Sequence, residues 1–220
     1  MPTKATKHDG RSIYAALRAE ILNGVLPAAA PVREVEVAER FGVSRTPVRE
    51  ALGRLQHERL LERGTRGLVV HQPDPQEVIQ VYDLRIMLEE EAAGQAARFH
   101  VMADIARLEG LLGRDRAMED HGDLALATAN MEFHEAVWAA AHNRILVDLL
   151  EQLSLHLIRA PRSTLSVGSR WQQSLEEHGR LIAAIAARDE AGARALARAH
   201  LEEARRIRLE LIRETISQGL

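Results

Sequence analysis

The sequence predicts a mainly α protein: a small N-terminal unit of three helices and a hairpin, then an all-α bundle of about six helices. Three observations lead there. Apolar residues recur at helical spacing in every long segment, and strand-like runs are confined to "LLERGTRGLVVH". Ala and Leu are abundant while aromatic residues make up only 3%, a composition suited to helix-on-helix packing. Charge is also divided unevenly: residues 1–72 hold 12 Lys and Arg against 8 Asp and Glu, whereas residues 73–220 hold 17 against 24. A basic piece is joined to an acidic one, and only the first favours a polyanion.

The elements follow in order. Residues 1–9 have few apolar groups and read as a tail. Ile13, Leu17 and Ile21 mark a first helix that Gly24 ends, and "VLPAAAP" is a connector. Glu34 to Phe41 forms a short second helix with Val37, Ala38 and Phe41 inward, and "GVS" turns the chain. Ser44 is placed to cap a third helix running to about Glu58, with Pro47 in its first turn, where a missing N–H costs little. "LLER" and "LVVH" flank a Gly-bearing turn as a hairpin, and "HQPDP" closes the unit, giving domains at 10–72 and 73–220. Beyond it, helices are expected over about 75–99, 102–118, 123–141, 144–160, 169–187 and 189–216.

Composition removes several classes of function. With 220 residues the chain can bury two cores, and with no Cys it has neither disulfides nor thiolate metal sites. Any metal must be held by His, Asn, Gln, Asp or Glu. No apolar run approaches the roughly 20 residues that span a bilayer, and the N-terminus lacks a secretory segment, so a cytoplasmic protein without membrane contact is expected.

In the third helix Val48, Ala51, Leu52 and Leu55 share one side, and Arg45, Thr46 and Arg49 share the other. Two short helices around a Gly-containing turn, the second with a basic face, are a helix-turn-helix arrangement. Arg45 and Arg49 would reach guanine edges or phosphates, Thr46 a phosphate or a thymine methyl, and the hairpin would supply a wing with Arg66 and Gly67 at its tip. Spacing alone also fits a surface helix with solvated arginines. The segment "GVSRTPVREAL" resembles the signature of the GntR superfamily of bacterial transcription factors, and "GVLPAAAPVREVEVAERF" resembles that family's approach to it, over residues 12–72. The sequence departs from the family at "LPAAAPV" and "ERLLER", which affects loop conformation more than DNA contact. The resemblance implies a winged helix-turn-helix that binds operator DNA through Arg45, Thr46, Arg49 and Gly67, with Arg33, Ser44 and Arg66 beside them.

In the acidic half, the helix face of Ala127, Asn130, Met131, His134, Val137, Trp138 and Ala141 is apolar except at Asn130 and His134, one turn apart. His178 lies amid Trp171, Leu175, Ile182 and Ile185, and His200 amid Leu196, Ala197, Ala204 and Ile207. Spacing leaves two readings open: core imidazoles bonded to backbone or carboxylate, or a shared metal such as zinc or nickel. His156 also falls on an apolar stripe, while His57, His100, His121 and His142 read as surface.

"NMEFHEAVWAAAHNRIL", "EEHGRLIAAIAARD" and "AHLEEA", in that order, resemble the FCD effector domain of the FadR-like branch of the same superfamily, over about residues 75–216. Many members hold a divalent metal through an acidic residue and three histidines, which implies Asn130, His134, His178 and His200 here, with zinc, nickel or manganese as the ion. Asn130 stands where Asp is commoner, so the ion's charge is left uncompensated and an effector carboxylate is expected to complete the shell. Arg85 shares a face with Val78, Val81, Tyr82 and Ala92. It either pairs with Glu89 at i,i+4 or, as the family pattern R-x-x-L/M-E implies, clamps the effector. Trp171 either walls the pocket or is plain core.

The expected function is a metabolite-responsive regulator, a repressor that reads an inverted-repeat operator as a homodimer and answers to a small organic or sugar acid. The alternative is a metal-dependent hydrolase built on His134, His178 and His200. Against it, Glu132, Glu135, Glu176 and Glu177 fall off the histidine faces, and no G-x-S-x-G, P-loop or H-E-x-x-H is present.

Overall fold

The computed structural model describes residues 9–22, 24–71, 74–119, 122–154 and 163–217. Most of the expected tail, His121, His156 and the end of the 144–160 helix lie outside the described residues. The chain divides into two compact units, Met1–Pro73 and Asp74–Leu220.

The first unit contains α1 (Gly10–Leu22), β1 (Pro31–Val32), α2 (Glu34–Phe41), α3 (Arg45–His57), β2 (Leu61–Gly64) and β3 (Gly67–Val70). Ile13 and Leu17 of α1, Val37 and Ala38 of α2, and Val48, Ala51, Leu52 and Leu55 of α3 meet Leu61 and Val70 in one core. Between α2 and α3 the chain reverses at Gly42, whose φ of 64° is left-handed and favours glycine. The strands pair antiparallel in the order β1-β3-β2. β1 begins at Pro31, the last residue of the stretch read as a connector. It has only two residues, too few for an alternating pattern, and is held by bonds such as Val70 N–H to the Ala30 carbonyl at 2.8 Å.

Ser44 needs a correction. It has the extended backbone of an N-cap, but its side chain makes no capping bond. The reason is in the sequence: with Arg45 first in the helix, Pro47 occupies the third position, whose N–H a capping hydroxyl commonly takes and which proline lacks.

The second unit is helical: α4 (Pro75–Phe99), α5 (Met102–Arg116), α6 (Asp123–Ala140), α7 (Arg144–Ser154), α8 (Arg170–Ala186) and α9 (Glu190–Ser217), with a 3-10 turn at Thr164–Ser166 before α8. Asp74 caps α4 by accepting from Gln76 N–H at 2.9 Å. Small residues of α4 (Ala92, Ala93, Ala96, Ala97) and α9 (Ala193, Ala197) are buried with Phe133, Trp138, Leu150 and Ile185. α4 and α9 run antiparallel along a ladder of ion pairs: Asp83 with Arg205, Glu90 with Arg198, Glu91 with Arg194, and Arg98 with Glu190.

Two smaller expectations fail. His100, read as surface, is buried, and its Nδ1 lies 3.1 Å from the Ala96 carbonyl, which also accepts the His100 backbone N–H at 2.9 Å. Ala127, placed on the inward face of α6, is exposed. No helix among the described residues is long and apolar enough to cross a membrane.

Candidate nucleic-acid interface and metal centre

In the first unit, Ser44, Arg45, Thr46 and Arg49 at the head of α3 are all exposed, as are Arg66 and Gly67 at the hairpin and Arg33 before α2. The hairpin turns on Thr65 and Arg66 alone, since Gly64 and Gly67 are paired, and Gly67 has φ 127°, a left-handed value that favours glycine. Arg45 and Arg49, with side chains 58% and 63% exposed, both bond the carboxylate of Glu34 at the start of α2, at 2.5 and 3.0 Å. The bond from Arg49 above all holds the Glu34 carboxyl below its usual pKa. Arg33 pairs with Glu36 at 2.9 Å. Exposed pairs of this kind contribute little to stability, so phosphates can replace them at small cost.

In the second unit, His134 of α6, His178 of α8 and His200 of α9 are each buried, and each offers a nitrogen within 4.8 Å of the others. Their ring centroids are 5.6, 5.1 and 5.1 Å apart. Three positions remote in sequence therefore converge, as shared ligands require. Among the described residues, His134 Nε2 and His178 Nδ1 have no hydrogen-bond partner, an expensive state for buried polar atoms and one that a metal would relieve.

Burial keeps two of these rings, His178 and His200, in a ligating form. Burial pushes the His178 pKa well below its ordinary value. Burial also brings His200 to about 4, although Glu177 pulls it upward. Both are therefore neutral near pH 7. His134 Nδ1 lies 2.6 Å from Glu89, and Glu89 accepts from Arg85 Nε at 2.7 Å. Despite its burial, Glu89 is held to a pKa of about 2 by Arg85 and His134. His200 Nδ1 lies 2.6 Å from Glu177, which pairs with Arg170 at 2.7 Å and is likewise brought to about 2 against its burial. His178 stacks on Phe133 at 3.7 Å, with its Nε2 3.4 Å from Ser174 Oγ.

The sequence-derived candidates fall into place unevenly. Asn130 is half-buried one turn before His134, and its Oδ1 accepts from Ser174 Oγ at 3.4 Å. Arg85 takes the ion-pair option with Glu89 and touches the histidines only through that carboxylate. Trp171 is 3% exposed within the hydrophobic core. The sequence reading missed Glu89 as a partner of His134, placed Glu177 away from any histidine, and overlooked Arg170 and Ser174. A signal for the last two was present: Arg170, Ser174 and His178 recur every four residues along one stripe of α8. The nearby carboxylates are engaged elsewhere, Glu89 and Glu177 at Nδ1 atoms and Glu132 with Arg114.

Residues 10–70 match the bacterial regulatory proteins of the gntR family, and residues 80–203 match the FCD domain. The HTH-type transcriptional regulator LutR of Bacillus subtilis is 32% identical over 203 residues, spanning 82% of this chain and 92% of that protein. The gluconate operon transcriptional repressor of Bacillus licheniformis is 24% identical over 176 residues, 79% of this chain and 71% of that one. Among solved structures, E. coli McbR/YncC superposes with a TM-score of 0.75 at 23% identity, over 92% of this chain and 98% of that chain, a likeness of fold.

Proposed function

The chain belongs to the gntR family of bacterial regulatory proteins and carries an FCD domain, and from that premise we propose that it is a metal-assisted, metabolite-responsive repressor working as a homodimer. That it is a transcriptional regulator and not an enzyme follows from the family. The metal, the effector, the operator and the dimer are our reading.

The observation that carries the reading is the convergence of three buried imidazoles from α6, α8 and α9 in the domain that accompanies the helix-turn-helix. His134, His178 and His200, with Asn130 as an oxygen donor, would hold zinc, or else nickel or manganese. When bound, the ion supplies a Lewis-acidic position for an effector oxygen. The four donors are neutral, and Glu89 and Glu177 are each paired with an arginine. The ion's charge therefore favours an anionic effector, a small organic or sugar acid, in keeping with the gluconate repressor among the relatives. Trp171 walls the pocket, and Arg85 acts on it by fixing Glu89.

On the DNA side, Arg45, Thr46 and Arg49 enter the major groove, with Ser44 and Arg33 on flanking phosphates and Arg66 and Gly67 on the backbone or minor groove. Two copies read an inverted repeat. The effector regulates by preferring one arrangement of the dimer, since a ligand with equal affinity for both arrangements shifts nothing.

The test is elemental analysis of wild type beside His134→Ala after dialysis into metal-free buffer. About one equivalent of zinc, nickel or manganese, lost in the variant, is expected. Absence of metal from wild type, with none regained on adding it back, would remove the metal from this reading.

A further inference from the structure

His200 Nδ1 has two neighbours that make opposite demands on it. Arg170 Nη2 lies 3.2 Å away and can only donate, which requires a lone pair on Nδ1 and moves the proton of the neutral ring to Nε2. The Glu177 carboxylate lies 2.6 Å away and can only accept, which requires the proton on Nδ1 and leaves the lone pair on Nε2. The two tautomers have opposite consequences, because a protonated Nε2 cannot ligate a metal.

The geometry also favours one of the two. The Glu177 contact is shorter, and its acceptor is charged. Arg170 has other outlets for the same nitrogen, Glu177 itself at 2.7 Å and the His200 carbonyl at 3.3 Å, so it need not compete for the ring. The other side of the cluster repeats the arrangement with a different arginine and carboxylate. Glu89, held by Arg85, takes His134 Nδ1, and there the orphaned atom is Nε2. The two differ in enclosure: the Glu89 side chain is 4% exposed, while that of Glu177 is 22% exposed and more open to solvent.

We propose that Glu177, steadied by Arg170, is a positioning residue that fixes His200 as its Nδ1–H tautomer and thereby turns the Nε2 lone pair to the histidine cluster. This rests on the metal-centre reading only for its consequence. The tautomer itself is a property of the metal-free protein.

The first experiment needs no variant. Long-range proton–nitrogen correlation NMR on 15N-histidine-labelled, metal-free wild type at pH 7.5, assigned by the loss of signals in His200→Ala, reads the tautomer directly. Protonated Nδ1 is expected, and protonated Nε2 would overturn the proposal. The second experiment compares Glu177→Leu, which has no acceptor, with wild type. Arg170 then loses its carboxylate, the His200 signal moves toward the Nε2–H form, and zinc affinity measured against a competing chelator weakens ~10–100-fold, the usual effect of removing such a partner. A Glu177→Leu protein that keeps the Nδ1–H pattern, or binds zinc within twofold of wild type, would refute the role. Should wild type bind no zinc, the metal-centre reading fails, and the tautomer spectra still decide this one.

Discussion

Replacing Glu89 by Leu strands two groups at once: Arg85, 4% exposed, loses its counter-charge, and His134 Nδ1 loses its acceptor. Two routes give the size of the effect. Interactions that move the Glu89 carboxyl from 4.5 to about 2 against full burial are worth roughly 3 kcal/mol. Breaking a buried ion pair from one side generally costs about 3–5 kcal/mol, because the remaining charge has been stripped of water. Arg85→Met strands the carboxylate instead and is expected to cost a similar amount. The double variant removes both charges and fills the space with apolar atoms, so it should lie within ~2 kcal/mol of wild type, the residue being the lost His134 bond. Urea unfolding in chelator, followed by Trp fluorescence, measures all four proteins. The chain has 2 Trp residues, Trp138 and Trp171, both in the second unit, so the signal reports that unit alone. Single variants within ~1 kcal/mol of wild type, or a double variant as damaged as the sum of the singles, would show that the pair does not hold this core.

Three further outcomes are expected. Arg49→Ala should weaken binding to a DNA duplex selected from a random library and lower the slope of log K against log salt by about 1, without moving the melting of the second unit; unchanged anisotropy titrations would remove α3 from the interface. Acidification should destabilise the metal-free second unit, opposed among the described residues only by Asp115 and Glu135, whose carboxyl pKa values burial raises. His178 and His200 have folded pKa values below 6.5, so the unfolded chain binds more protons and stability falls as pH drops from 6.5 toward about 4. Glu89 and Glu177, at about 2 when folded, lose their contribution as pH drops from about 4.5 toward 2, and a melting temperature flat between pH 6.5 and 4 would contradict the histidine part. Glu90→Arg should cost under ~1 kcal/mol and be partly restored by Arg198→Glu; a double variant no better than the single would deny the α4–α9 ion pair any weight.

The helices were legible because their signals are local: apolar spacing placed α4 at its observed ends, α7 at its observed start, and the others within a few residues. The three histidines were legible as polar residues on apolar stripes, and their convergence became a finding only with the fold. What escaped the sequence was non-local or sub-threshold. β1 is too short to alternate, and it exists because Val70 and Ala30 find each other across some forty residues. Glu177 points to His200, a residue on another helix, so its position next to His178 in the chain was misleading. Ser44 shows the reverse case, a local rule defeated by a local exception at Pro47.

The ladder between α4 and α9 works as a vernier. Its acidic rungs lie on α4 at Asp83, Glu90 and Glu91, but the last rung is inverted, with Arg98 facing Glu190. A one-turn slip that set Arg98 beside Arg194 would also set Glu90 beside Glu202, two meetings of like charge where there had been two of opposite charge. The small residues along the same seam have no rotamers with which to absorb a slide. α4 carries Glu89 and α9 carries His200, so the two sides of the histidine cluster are clocked to each other by charges on the outside of the bundle.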